Sequence, residues 1–191
     1  HTVHKVQDTV ALQKDMASHQ RVVVIGGGFI GVEAAENLRE GGNDVTLIEA
    51  QPQILKTFDE DMVQIFHKEL TDQGVSLILN DKVTAFTHDA VVLASGKQIP
   101  ADMVVMSIGV SPETSLAKAA GLTIGSTGAI AVDELCRTND PDIYAVGDAI
   151  EVRDFVTGEW SLIALAGPAN RQGRIAADVI AGRQSRYRGT Q

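Results

Sequence analysis

Residues 21–31 run from Arg21-Val-Val-Val-Ile25 straight into Gly26-Gly27-Gly28-Phe29-Ile30-Gly31. The β-branched run suits a buried strand, and the glycines allow the chain to turn sharply at its end. From Phe29 to Glu40 the apolar residues Ile30, Ala34, Ala35 and Leu38 fall on one helical face, and Gly41-Gly42 then stops the helix. Val45-Thr-Leu-Ile48 is the next apolar run. Strand, tight turn, helix and strand within about 30 residues make a βαβ unit, which commits the chain to a parallel sheet with a right-handed crossover.

The following residues extend that pattern. Thr57-Phe-Asp-Glu60 has the spacing of a capping box, Met62, Ile65, Phe66 and Leu70 form one apolar stripe, and Val75 to Leu79 reads as a third strand. From Asn80 the period changes. Val83–Phe86, Val91–Leu93 and Met103–Ile108 are separated by the turn residues His88-Asp89 and Ser95-Gly96-Lys97, predicting a three-stranded antiparallel meander whose last strand returns to the main sheet. Helices are expected over Asp8–Ser18 and Ser115–Ala120, with Gly125–Gly128 a turn between two short strands. A first domain is expected to span residues 1–129. Residues 130–191 then offer a buried strand at Ile143–Val146 ending in Gly147-Asp148, a hairpin between Val152 and Trp160, and a helix over Asn170–Ala181. These are too few elements to enclose a core. The expected fold is therefore α/β, with a Rossmann-like parallel sheet, the meander, and a partial C-terminal segment.

Composition narrows the function. Asp and Glu number 25 against 16 Lys and Arg, a formal charge of −9, so the field of the molecule repels nucleic acid and anionic lipid. No apolar run approaches the roughly 18 residues of a membrane span. One cysteine, Cys136, and a start at His1–Val10 without a secretory pattern point to the cytoplasm. The five histidines are scattered without ligand spacing, which argues against a metal site. No Gly-x-Ser-x-Gly elbow supports a serine hydrolase.

The glycine turn carries the chemistry. It fits Gly-x-Gly-x-x-Gly in the context of a preceding strand and a following helix, and Glu49 closes the next strand 18 residues after Gly31. Gly26 permits the turn, Gly28 lets a pyrophosphate approach the backbone, and Gly31 lets helix and strand pack closely. The N–H groups at the helix start, Phe29 and Ile30 among them, face the phosphates. Glu49 suits the adenosine ribose hydroxyls and repels a 2′-phosphate, while its neighbours Ala50, Gln51 and Gln53 offer no cation and only Lys56 lies near. This pattern predicts NAD (NADH) in preference to NADP. The alternative for the turn is glycine placed for packing alone, and for Glu49 a solvated strand-end carboxylate.

Four motifs together resemble the flavin-dependent pyridine nucleotide-disulfide oxidoreductases. Val22-Val-Val-Ile-Gly-Gly-Gly-Phe-Ile-Gly-Val-Glu33 looks like that family's NAD fingerprint. Val105-Met-Ser-Ile-Gly109 with Pro112 resembles the strand and turn that lead back toward its flavin domain. Thr138-Asn-Asp-Pro-Asp-Ile-Tyr-Ala-Val-Gly-Asp148 resembles its second FAD motif, and Leu165-Ala-Gly-Pro-Ala-Asn-Arg-Gln-Gly-Arg174 is most similar to the coenzyme A-disulfide reductase and NADH:polysulfide reductase branch.

The resemblance implies roles. Phe29 falls where the family has a gate over the flavin ring, and Glu33 where a glutamate pairs with a flavin-side lysine. Gly147 and Asp148 fall where a carboxylate binds the ribityl hydroxyls, and the Leu165-Ala166 backbone where the ribityl chain and ring edge are touched. Gly109 belongs to the turn leading to the flavin domain. Taken without the resemblance, Phe29 reads as a core residue, Glu33 as a solvated helix carboxylate and Gly147-Asp148 equally as a common turn.

The family's first FAD fingerprint, its redox-active cysteine and its C-terminal dimerisation domain have no counterpart in these 191 residues. The chain is thus expected to be a middle piece, an NAD(H) domain over 1–129 and the second half of a discontinuous FAD domain over 130–191, inactive by itself, with Cys136 structural. The implied activity of the parent is hydride transfer from NADH to FAD and on to a disulfide or sulfur substrate. NADH oxidase, NADH peroxidase and ferredoxin reductase are alternatives, as is a non-catalytic NAD(H) sensor. Apolar residues after Ala129, namely Ile143, Tyr144, Val146, Ile163 and Leu165, are expected to be uncovered, favouring self-association or a swapped dimer.

Overall fold

The computed structural model describes residues 1–190. They form two compact units, residues 1–109 and residues 110–190. The division falls before the expected boundary at Ala129 because Ala117, on a helix assigned to the first domain, is buried with Ile130, Cys136, Ile150 and Ile175, so the second unit encloses a core of its own where too few elements were expected to do so.

The first unit is built on four parallel strands in the order β3-β2-β1-β7. They are β1 (Arg21–Ile25), β2 (Asp44–Ile48), β3 (Ser76–Ile78) and β7 (Met103–Met106). Helices α1 (Val6–Met16), α2 (Phe29–Glu40) and α3 (Glu60–Asp72) contribute Leu12, Ala35, Leu38, Val63 and Leu70 to one core, where they meet Val22, Val24, Val45 and Leu47 of the sheet. Alternate residues of β1, Val23 and Ile25, face a second core with Val91, Leu93 and Ile99. Both faces of β1 are thereby buried, which is why it reads as an unbroken apolar run.

That second core is roofed by the antiparallel sheet β4 (Val83–Phe86), β5 (Ala90–Leu93) and β6 (Gln98–Pro100). Handedness explains the arrangement. The chain moves outward from β1 to β3 through α2 and α3, then reverses to reach β7 on the far side of β1. A right-handed return must pass over the opposite face, and the meander is that passage.

Three expectations are corrected in this unit. Met103–Met106 pairs parallel with β1 and is no part of the meander, whose third strand is the unforeseen Gln98–Pro100. That strand was concealed by its shortness and by Pro100, a residue tolerated only at strand ends and edges. The capping box at Thr57 does not form, because α3 begins with Asp59 as N-cap and no side-chain capping bond. The stripe Met62, Ile65 and Phe66 lies outward at 54%, 73% and 43% exposure, while Val63 and Leu70 enter the core.

In the second unit, α4 (Ser115–Ala119) precedes an isolated bridge between Ile124 and Ile130, where two short strands were expected. The expected buried strand at Ile143–Val146 is likewise a single bridge, Arg137 to Tyr144, with Ile143 and Val146 exposed. Thr138 knits this segment instead: its N–H and Oγ both donate to the Ile143 carbonyl at 3.0 Å, and its Oγ accepts the Asp140 N–H at 3.1 Å. A 3-10 turn (Gly147–Ala149) follows, then the hairpin β8 (Val152–Arg153) with β9 (Trp160–Ser161), as expected. Helix α5 (Ala166–Ile180) starts four residues before the expected Asn170. Pro168 concealed that start, yet in the first turn its missing N–H costs no intrahelical bond.

Candidate functional site

The three motif glycines of the first unit have different physical reasons. Gly26 has φ +103°, a region side chains rarely enter, and a Cβ there would strike the Ser107 carbonyl. Gly31 is buried, and its Cβ would overlap the Gly26 carbonyl and stand 2.7 Å from Ser107 Oγ. Gly28 differs. Its φ of −75° and ψ of −177° suit any residue, and a Cβ built on it meets nothing within 4 Å. Protein packing therefore requires Gly26 and Gly31, but it leaves the flank of Gly28 open.

That flank is also where hydrogen-bond donors gather. Gly28 is the N-cap of α2, and the first intrahelical bond runs from Val32 N–H to the Gly28 carbonyl at 3.0 Å. The N–H groups of Phe29, Ile30 and Gly31 consequently have no acceptor within the helix, and no side chain caps them. Residues 28–30 are exposed. An anion is favoured here by donors and helix dipole together.

Glu49 lies half-buried just past β2. Its Oε2 accepts the Gly27 N–H at 2.6 Å and its Oε1 accepts the Gln51 N–H at 2.8 Å. The carboxylate is thus fixed against the glycine turn, and each oxygen keeps a lone pair for a further donor. Gly27, a spacer in the motif, is constrained as Gly26 is and Gly28 is not, since a Cβ would stand 2.6 Å from Ile54 Cγ2. Ser107 locks the turn to β7 by donating its hydroxyl to the carbonyls of Ile25 at 2.9 Å and Gly26 at 3.2 Å. Neither residue was singled out from the sequence. Gly27 had a visible signal in the glycine triplet, whereas Ser107 had none.

The other expected residues of this unit sit around the turn. Phe29 is 53% exposed, so it is no core residue, and its ring meets Phe58 edge-on at 6.0 Å. Ile30, Glu33 and Ala50 are exposed, and Gly109 follows β7 in a left-handed conformation at φ +104°.

In the second unit the expected residues divide between two elements. Gly147 has φ +74° and donates its N–H at 2.7 Å to Oε1 of Gln172, which is 1% exposed. This buried amide, invisible as a signal in the sequence, ties the Gly147-Asp148 turn to α5. Asp148 itself is exposed and acceptor-only when ionised. Leu165, the N-cap of α5, and Ala166 are exposed at that helix's uncapped start. Cys136 is fully buried, and burial, with Asp133 adding to it, pushes its thiol up to about 11. Such a thiol is a poor nucleophile, which agrees with a structural role. Among the described residues no three His, Cys, Asp or Glu side chains gather as a metal site, and no helix is long and apolar enough to cross a membrane.

A glycine turn with uncapped N–H groups between a parallel strand and a helix, followed by a carboxylate at the end of the next strand, is the arrangement characteristic of dinucleotide-binding α/β proteins. Comparison with known proteins narrows that class. Residues 1–173 match the pyridine nucleotide-disulphide oxidoreductase family, and the chain belongs to it. An NADH oxidase of Methanocaldococcus jannaschii is 39% identical over 97% of this chain and 42% of its own length. A CoA-dependent NAD(P)H sulfur oxidoreductase of Pyrococcus furiosus is 35% identical over 95% of this chain and 42% of its own. The crystal structure of reduced Bacillus anthracis CoADR-RHD superposes with a TM-score of 0.95 at 47% identity, covering 99% of this chain and 35% of that one. The chain therefore spans about two fifths of the curated relatives it matches. Proteins of this family use NADH and FAD.

Proposed function

We propose that this chain is the NAD(H)-binding part of an FAD-dependent oxidoreductase that moves hydride from NADH to flavin and then electrons to a disulfide or other sulfur substrate. The single observation carrying this reading is the open flank of Gly28 beside uncapped helix donors, with Glu49 held ready by backbone N–H groups. The nicotinamide and flavin supply the redox chemistry when bound, and the protein supplies alignment. In the first unit, Gly26, Gly28 and Gly31 with the N–H groups of Phe29 and Ile30 hold the pyrophosphate, Glu49 beside Ala50 takes the adenosine ribose, and Phe29 covers the ring site. In the second unit, Gly147, Asp148 and the Leu165-Ala166 backbone provide a flavin-side surface. Glu33 and Gly109 complete the set that serves the two cofactors. The buried lone thiol fits work in the cytoplasm.

The reading is tested by titrating the 191-residue chain with NADH and NADPH. NADH should bind more tightly, because Glu49 repels a 2′-phosphate and no cation lies at Ala50 or Gln51 to offset it. Glu49→Ala should narrow the difference. Equal affinities in the native chain would overturn the cofactor assignment. The chain purified alone should be colourless and should not oxidise NADH with a disulfide, since the described residues hold one glycine-rich strand-turn-helix and an inert thiol. A stoichiometric flavin spectrum would refute that. Of the five apolar residues expected to be uncovered, Tyr144 and Ile163 pack against the second unit's core, and the exposed Ile143, Val146 and Leu165 support self-association of the chain, which light scattering over a concentration series checks.

The identity with the archaeal NADH oxidase favours a second reading in which oxygen is the acceptor. Comparing oxygen consumption with disulfide or polysulfide reduction by the longer, FAD-containing parent decides between the two.

A further inference from the structure

The loop between β2 and α3 wraps around the glycine turn and is held in a costly shape. Leu55 has φ +47°, a left-handed conformation that strains a residue carrying a side chain. It is retained because the loop makes specific contacts there. Leu55 N–H donates to the Gly27 carbonyl at 2.7 Å, and the fully buried Ile54 seats its side chain beside Gly27. Gly27 in turn donates its own N–H to Glu49. The Ile54 N–H ends on a side chain from a different element, Nε2 of His67 in α3, at 3.3 Å.

We infer that His67 is a positioning residue for the nucleotide site: by accepting the Ile54 N–H it holds the loop against Gly27 and so fixes the Glu49 carboxylate. The contact requires the tautomer with hydrogen on Nδ1, leaving Nε2 as acceptor. Burial pushes the imidazole down from its usual value, which favours that neutral form near neutral pH. Without the acceptor, the N–H of the buried Ile54 is left unpaired, and the strained loop loses an anchor on the side away from the glycines. The chain of contacts passes through backbone groups at Ile54, Leu55 and Gly27, so the effect reaches Glu49 although His67 itself touches no nucleotide. This inference rests on the proposed NADH site for its functional consequence.

The test compares His67→Leu, which keeps bulk and removes the acceptor, with His67→Gln, whose amide oxygen can replace Nε2. His67→Leu should weaken NADH binding about fivefold, the worth of one neutral hydrogen bond, and narrow the preference over NADPH. His67→Gln should restore both to within about twofold, a rescue that mere loss of helix packing would not give. Amide hydrogen exchange of the nucleotide-free chain supplies the second readout. Exchange at Gly27, Ile54 and Leu55 should accelerate in His67→Leu and return to normal in His67→Gln. If exchange at these amides is unchanged in His67→Leu, or Leu and Gln variants bind NADH alike, the inference is overturned. If native protein binds no NADH, the proposed cofactor site fails, while the exchange experiment still decides whether His67 governs the loop and turn.

Discussion

The two units solve a similar problem with unequal means. In the first, a left-handed glycine ends a strand that has parallel neighbours on both sides, and the ladder continues past it: Gly26 N–H donates to the Ile48 carbonyl at 2.8 Å and Ser107 N–H to the Ile25 carbonyl at 2.8 Å. In the second, Gly147 also adopts a left-handed turn, but the segment before it pairs through one bridge, and a single buried amide, Gln172, holds it. A turn at the end of a sheet inherits rigidity from backbone bonds that almost any sequence can make. A turn without a sheet depends on particular side chains, so a single substitution can loosen it.

The largest expected effect breaks the stronger of the two. Gly26→Ala forces an unfavourable φ and a collision with Ser107, and we expect a loss of about 3 kcal/mol in chemical denaturation of the first unit. Loss below about 1 kcal/mol would show that the turn can shift. Gln172→Ala probes the weaker region, where the Gly147 N–H would lose its partner inside the unit. We expect about 2 kcal/mol and faster amide exchange at residues 145–149, with NADH affinity unchanged. Protection there equal to native would mean that Gln172 is dispensable.

Gly28→Ala separates fold from function within the first unit. Nothing in the protein meets the added methyl, so the melting temperature should stay within about 1 °C, while NADH affinity falls about tenfold as the methyl occupies the phosphate approach. An unchanged affinity would remove the observation on which the proposed site stands. The smallest effect at neutral pH belongs to Cys136. Its folded-state pKa is raised to about 11 from an ordinary 9.0, so its protonated form favours the fold fully below pH 9, and that contribution is lost as pH rises toward 11. Ellman's reagent should leave the native thiol unmodified at pH 8 and react once the protein unfolds. Rapid native modification would contradict the burial.

Much of the first unit was legible because its signals are local and mutually consistent. The β1 run, the glycine turn and the α2 face agree on one structure, and Glu49 falls at the required distance along the chain. Of the α3 stripe Met62, Ile65, Phe66 and Leu70, which repeats at helical spacing as a core face would, only Leu70 enters the core, and it does so beside Val63. Periodicity reveals that a helix has an apolar side, but which side meets the sheet depends on where the strands lie. Ile143–Val146 was misread for a related reason, since an apolar run becomes a strand only when another strand is available to pair with it.

What the sequence by itself determined is the parallel α/β unit, the glycine turn and the family, because each is written in residues close together whose backbone requirements are intrinsic. What only the tertiary structure decided is how those parts are held. The clasp of Glu49 by Gly27 and Gln51, the seat of Ile54 beside Gly27, the His67 anchor and the Gln172 tie to Gly147 join groups brought together by folding. Several of them use backbone N–H groups, which every residue but proline carries, and so they leave no mark on the amino-acid sequence.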